Sequence, residues 1–211
     1  MALNALLVSE RDRVWIGADP GGKKNFGLAI LKADGSARTW GVDCADEAVN
    51  VIVANVKSFP AGVGVDAPLW WSSGQSSDRE ADKWLRKKYR LIHGEVQASN
   101  SLKGAALVQG IMFVQRMRER FPAVGVTESH PKAVLAALKM RTGRQFFQQF
   151  SVEVKNQDNR EHERDAVISA VASREGFEGR WLKDLSTNCH SSEQDPSRFW
   201  LAPIQYFWPE T

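Results

Sequence analysis

The chain has 211 residues, 43% of them apolar, with eight tryptophans and a formal charge of only +3, a composition that allows one well-cored domain and does not point to intrinsic disorder. So mild a charge does not by itself indicate nucleic acid. Cys44 and Cys189 give no disulfide framework or C-x-x-C zinc pair, MALNALLVSERDR lacks a signal-peptide core, and no run spans a membrane, so a reducing, cytoplasmic setting is expected.

Val14–Ala18 and Phe26–Leu31 read as apolar strands joined by the turn-rich PGGKKN, and Asp34-Gly35 turns the chain into a third strand, SARTWGVD. Three runs so close in sequence form an antiparallel meander, because parallel neighbours need a crossover of about a dozen residues. Asp46–Phe59 has helical spacing and an acidic first turn, and strand Gly62–Asp66 follows. After the polar loop SSGQSS come a charged helix at Asp78–Arg90 and an amphipathic one at Leu102–Phe121 that Pro122 ends. Strand Ala123–Glu128 leads through Pro131 into helix Lys132–Met140; residues 144–156 fit either type, and Arg160–Glu175 reads as the last helix. The tail, about 181–211, ends in RFWLAPIQYFWP and is expected to pack over the core.

Three of the apolar strands end in acids: VWIGAD at Asp19, AGVGVD at Asp66 and AVGVTE at Glu128. A fourth acid, Asp165, opens DAVISAVASR with His162 three residues before it on the same helix face, and Glu161 lies four before. Strand ends gather at one edge of an α/β sheet, where ligands bind. Four carboxylates brought together need protons or a cation; an all-oxygen set suits Mg²⁺ or Mn²⁺, and paired ions of that kind serve phosphoryl chemistry. Each acid also has an ordinary role open to it, Asp19 as a turn former before Pro20-Gly21-Gly22, Asp66 as a cap, and Asp165 in a solvated charge run.

The helix DREADKWLRKKYR interleaves Arg79, Lys83, Arg86, Lys87, Lys88 and Arg90 with Trp84 and Tyr89, a composition that suits a phosphate backbone and stacked bases. Asp82–Arg86 equally fits helix-surface pairing. Trp70 and Trp71 are open to base stacking or to the core, and His130 to ligand orientation or a loop hydrogen bond. Gly17-x-x-x-x-Gly22-Lys23 imitates the start of a P-loop, but position 24 is Lys and NFGLAIL reads as a strand where a P-loop needs a helix.

The order β-β-β-α-β-α-β-α is similar to that of the RNase H-like superfamily. More narrowly, GADPGG, GVDAPL, Arg79-x-x-Asp82-x-x-x-Arg86, ESHP and ERDAVISA, in that order from about Val14 to Arg174, resemble the RNase H-like nucleases grouped as domain of unknown function 429. The resemblance implies an α/β fold with a mixed five-stranded sheet, a three-strand antiparallel meander followed by parallel strands, flanked by helices. It further implies a Mg²⁺- or Mn²⁺-dependent nuclease using two metals, with Asp19 as the bridging ligand, Asp66, Glu128 and Asp165 completing the shell, and His162 assisting catalysis. Arg79, Asp82, Arg86, Lys23 and His130 would then contact the nucleic acid. Two other readings stay open: a nucleotide-binding ATPase or phosphotransferase of the related actin-like fold, and a nucleic-acid-binding module without chemistry.

Overall fold

In the computed structural model, residues 10–73, 78–91, 95–97, 104–156, 161–189, 191–195 and 202–210 are described. The chain's first nine residues, most of the SSGQSS loop and the Arg198–Leu201 part of the aromatic tail lie outside them.

Two continuous apolar runs, a third segment of alternating burial and the turns between them form strands β1 (Val14–Asp19), β2 (Phe26–Lys32) and β3 (Ser36–Val42), paired antiparallel as expected. Phe26–Lys32 therefore continues the sheet and opens no helix, so the P-loop-like glycines serve a hairpin turn. Helix α1 (Ala45–Asn55) carries the chain across to β4 (Gly62–Val65), which lies parallel to β1. Helices α2 (Glu80–Tyr89) and α3 (Gly104–Arg120) make the next crossover, to β5 (Val126–Glu128), parallel to β4. Then follow α4 (Pro131–Ala137), α5 (Gly143–Gln149), β6 (Glu153–Val154), α6 (Glu161–Phe177), β7 (Lys183–Asp184), β8 (Ile204–Gln205) and β9 (Phe207–Trp208).

Among the described residues the main sheet is mixed and has seven strands, in the order β6-β3-β2-β1-β4-β5-β8, rather than the expected five. The five expected strands form its centre, in the order 3-2-1-4-5. The additions are two-residue edge strands, β6 beside Ser36–Ala37 and β8 beside Val126–Thr127, too short to show any periodicity in the sequence. The ambiguous stretch after Met140 divides: a Thr142–Gln145 capping box starts α5, and β6 follows. The tail thus extends the sheet as well as covering it, with Ile204, Tyr206 and Trp208 buried.

Helices flank both faces. Gly27 of β2 turns toward α6, whereas its neighbour Phe26 meets Phe113 of α3 ring to edge at 5.7 Å; adjacent strand residues point to opposite faces, so α3 and α6 lie on opposite sides. No described helix is long and apolar enough to cross a membrane.

Contact between α6 and the sheet is unusually close because glycines line the path beneath it. A Cβ on Gly27 would stand 2.0 Å from the His162 carbonyl oxygen, one on Gly17 1.9 Å from that of Ala166, and one on Gly64 1.9 Å from that of Ser169. Gly17 and Gly64 are register partners on β1 and β4, and Gly27 faces Asp19 across the β1–β2 pair. Successive turns of α6 therefore rest directly on three strand backbones. Restoring a methyl group at the central one forces the helix away. Gly17→Ala is expected to lower stability by about 3 kcal/mol in urea unfolding, whereas Gly104→Ala, where an added Cβ meets nothing within 4 Å, leaves it nearly unchanged.

Candidate metal centre

Three backbone devices place three aspartates together. Asp19 ends β1, and the Asp66 amide, directly after β4, donates to the Ala18 carbonyl at 2.8 Å. That bond sets the two acids at neighbouring strand ends. Asp165 lies on α6, one turn beyond His162, and the glycine path brings both down to the same edge. The result is one group: ligand atoms of Asp19, Asp66 and Asp165 all lie within 4.8 Å of one another.

Asp19 and Asp165 are buried and Asp66 is partly so. Two carboxylates 4.8 Å apart repel by about 3.5 kcal/mol at an effective dielectric near 20. Burial raises the Asp19 carboxyl, partly offset by His162, whose Nδ1 lies 2.7 Å from Asp19 Oδ2. Burial and then repulsion from Asp19 and Asp165 push Asp66 well above the usual carboxylate range. Burial pushes Asp165 up to about 6 even though the Arg164 guanidinium holds its Oδ1 at 2.7 and 2.8 Å. Since that value lies above the ordinary 3.8, protonated Asp165 favours the folded chain: the contribution is complete below pH 3.8 and is lost as the pH rises through about 6. Three crowded acids whose charged forms are each disfavoured by burial or by one another are a donor set that suits a hard cation with oxygen ligands.

The fourth expected ligand has a different partner. Glu128 closes β5 as the sequence indicates, but it lies outside that three-acid group and is held by Arg79. Arg79 Nη1 and Nη2 donate to its two oxygens at 2.7 and 2.6 Å, and the Leu69 amide donates to Oε2 at 2.9 Å. The same guanidinium donates through Nε and Nη2 to both oxygens of Asp82, each at 2.8 Å, and stacks 4.2 Å from the centre of the Trp70 ring. All three charged side chains are only 2% exposed. Arg79 and Asp82, expected to touch substrate, are thus bound chiefly to protein, and Trp70 belongs to the core while Trp71 stays partly exposed.

The remaining expected contacts divide between wall and rim. Arg86 pairs with Asp78 at 2.7 Å and donates to the Val96 carbonyl at 2.9 Å, so it braces residues 95–97. His130 meets the Glu95 carbonyl through Nε2, with Nδ1 3.9 Å from Asp66, and its loss of hydration lowers its pKa. Lys23 is exposed in the β1–β2 turn, outside the lining of the cavity.

That cavity, about 580 Å³, contains the aspartates on its floor, with His162, His130 and the first turn of α3 among its walls. It is also lined by Lys132 and Glu161, paired at 3.1 Å, and Lys132 was not singled out from the sequence. One signal was present: a lysine in the first helical turn opposes the helix dipole and invites a reason other than stability. An exposed pair of this kind contributes about 0.2–1 kcal/mol, whereas breaking a buried ion pair costs about 3–5 kcal/mol. Lys132 can therefore change partners where Arg79 cannot.

Comparisons with protein-family models, with curated proteins and with solved structures each find no match for this chain, so the functional argument rests on its own residues. The buried network gives a direct expectation. Arg79→Met leaves Glu128 and Asp82 buried without their cation and should destabilise the fold by about 3–5 kcal/mol in chemical denaturation. Adding Glu128→Gln to that variant should recover part of the loss, since one of the two orphaned charges is then gone.

Proposed function

We propose that this protein is a Mg²⁺- or Mn²⁺-dependent phosphodiester hydrolase of the RNase H-like kind, acting on nucleic acid. The observation that carries the reading is the group formed by Asp19, Asp66 and Asp165, with ligand atoms within 4.8 Å of one another on the floor of an open cavity. A central strand order of 3-2-1-4-5, with a helix returning an acid to the end of β1, supports the fold assignment made on the motifs. Two half-buried free cysteines are compatible with a cytoplasmic setting.

The donor set is three carboxylates, which fits a hard divalent ion and leaves room for phosphate oxygens beside it. Such an ion, when bound, supplies Lewis-acid chemistry for phosphoryl transfer. The protein's own groups have separable tasks. Asp19, between His162 and the other two aspartates, is the central ligand; Asp66 and Asp165 complete the set. Glu161, which lines the same cavity, is a further carboxylate for a second ion. His162, its Nδ1 fixed by Asp19, carries a proton at Nε2 between the cavity and solvent. Glu128 acts at one remove, locking α2 against the end of β5 through Arg79.

Cleavage assays test the reading. With Mn²⁺ present, wild type should hydrolyse at least one member of a panel of single-stranded, duplex, hybrid and branched nucleic acids. Asp19→Asn, folded by circular dichroism, should lose at least about 100-fold of that rate. Equal cleavage by the two proteins would remove Asp19 from the chemistry and with it the proposed mechanism.

A further inference from the structure

A phosphate group entering a cavity floored by aspartates needs a protein cation as well as metal, and the described lining offers two full cations, Arg79 and Lys132. Arg79 is ruled out by its surroundings: its guanidinium is buried and bonded on two sides, to Glu128 and to Asp82. Lys132 differs in each respect. Its side chain is 55% exposed, and its Nζ meets a single carboxylate, Glu161, which is equally exposed. That pair lies across the cavity between α4 and α6, so the ammonium can leave Glu161 without leaving the site.

Charge supports the same assignment. Glu161 first, through its hydrogen bond, and then Asp165 and Asp66 keep Lys132 protonated, and its ammonium offsets a small part of the burial that raises Asp19 and Asp66. It is thus within electrostatic reach of all three aspartates from one side of the cavity. Its place in the first turn of α4 runs against the helix dipole, so the local backbone gives no stabilising reason for a cation there. His130 and His162, the other basic groups of the lining, are each already engaged, with the Glu95 carbonyl and with Asp19.

We propose that Lys132 is the substrate-contacting cation of this site, exchanging Glu161 for a phosphate group of a nucleotide or nucleic-acid strand seated over Asp19, Asp66 and Asp165. This inference rests on the phosphodiesterase reading above. It also gives Glu161 a defined behaviour: once Lys132 has turned to phosphate, that carboxylate keeps only its 3.5 Å pairing with Arg164 and can turn toward a metal.

Binding measurements separate the two claims without depending on turnover. Mn²⁺ alone is titrated first by calorimetry into wild type, Lys132→Met and Lys132→Arg. Thymidine 5′-monophosphate and a cleavage-resistant phosphorothioate decathymidylate are then titrated into the Mn²⁺-loaded proteins. Lys132→Met should bind Mn²⁺ at least as well as wild type, having lost a competing cation, while its affinity for both phosphate probes falls by about 10- to 100-fold. Lys132→Arg should restore most of that affinity. Tighter binding of the strand than of the mononucleotide assigns the site to nucleic acid, and the reverse to free nucleotide; Lys132 is required in both. Unchanged phosphate affinity in Lys132→Met, or no phosphate binding to Mn²⁺-loaded wild type, overturns the proposal. Failure of wild type to bind Mn²⁺ in the first titration instead overturns the metal reading beneath it.

Discussion

The absence of side chains beneath α6 is the constraint on which the site depends. Side-chain-mediated packing commonly keeps helix axes about 8–10 Å from what they pack on. Gly27, Gly17 and Gly64 remove that spacing, and the backbone of α6 rests on β2, β1 and β4 in turn. The oxygens of an aspartate lie only three bonds from its Cα, so Asp165 can join acids on strand ends only if its helix lies this low. The same descent sets His162 over Gly27, the residue opposite Asp19 in the β1–β2 ladder, and so fixes the imidazole on the Asp19 carboxylate. A buried bond from Thr39 to Glu163 at 2.8 Å ties the start of α6 to β3 as well.

Neighbouring strand ends nevertheless give their acids opposite fates. Asp66 and Glu128 follow adjacent parallel strands, and the Ser129 amide donates to the Val65 carbonyl, so the two backbones stay in register. Glu128 has the longer side chain and meets Arg79, which neutralises it within a buried, fully bonded network on Trp70. Among the described residues Asp66 has no such guanidinium, only the His130 ring 3.9 Å away, and stays crowded against Asp19 and Asp165. One acid has thereby become part of the scaffold, and three remain with charge that the protein does not fully compensate. Crowded acids at the floor of a cavity are the ground on which a cation is proposed there.

Much of this was legible in the sequence, for identifiable reasons. β1, β2 and β4 are continuous apolar runs, and β1 and β4 end on or just before an acid, so their positions and the importance of Asp19 and Asp66 could be read directly. The His162–Asp165 pair followed from helical spacing alone. What could not be read lies in tertiary contact. β6 and β8 exist only because Ser36–Ala37 and Val126–Thr127 offer open edges, and two residues carry no pattern. Glu128 could not be told from a ligand because its partner Arg79 lies 49 residues away in the chain. The glycines in β1, β2 and β4 were visible, but their shared path under α6 depends on strand register. Lys132 was passed over because one lysine after a proline has no periodic or motif context.

The central claim is that Asp19, Asp66 and Asp165 hold a divalent cation, and diffraction at the manganese absorption edge tests it most directly. Crystals grown with Mn²⁺ should show an anomalous peak bounded by carboxylate oxygens of all three aspartates, and the peak should vanish in Asp19→Asn. Well-ordered density for the three side chains with no anomalous peak among them, or a peak bound elsewhere, would contradict the account.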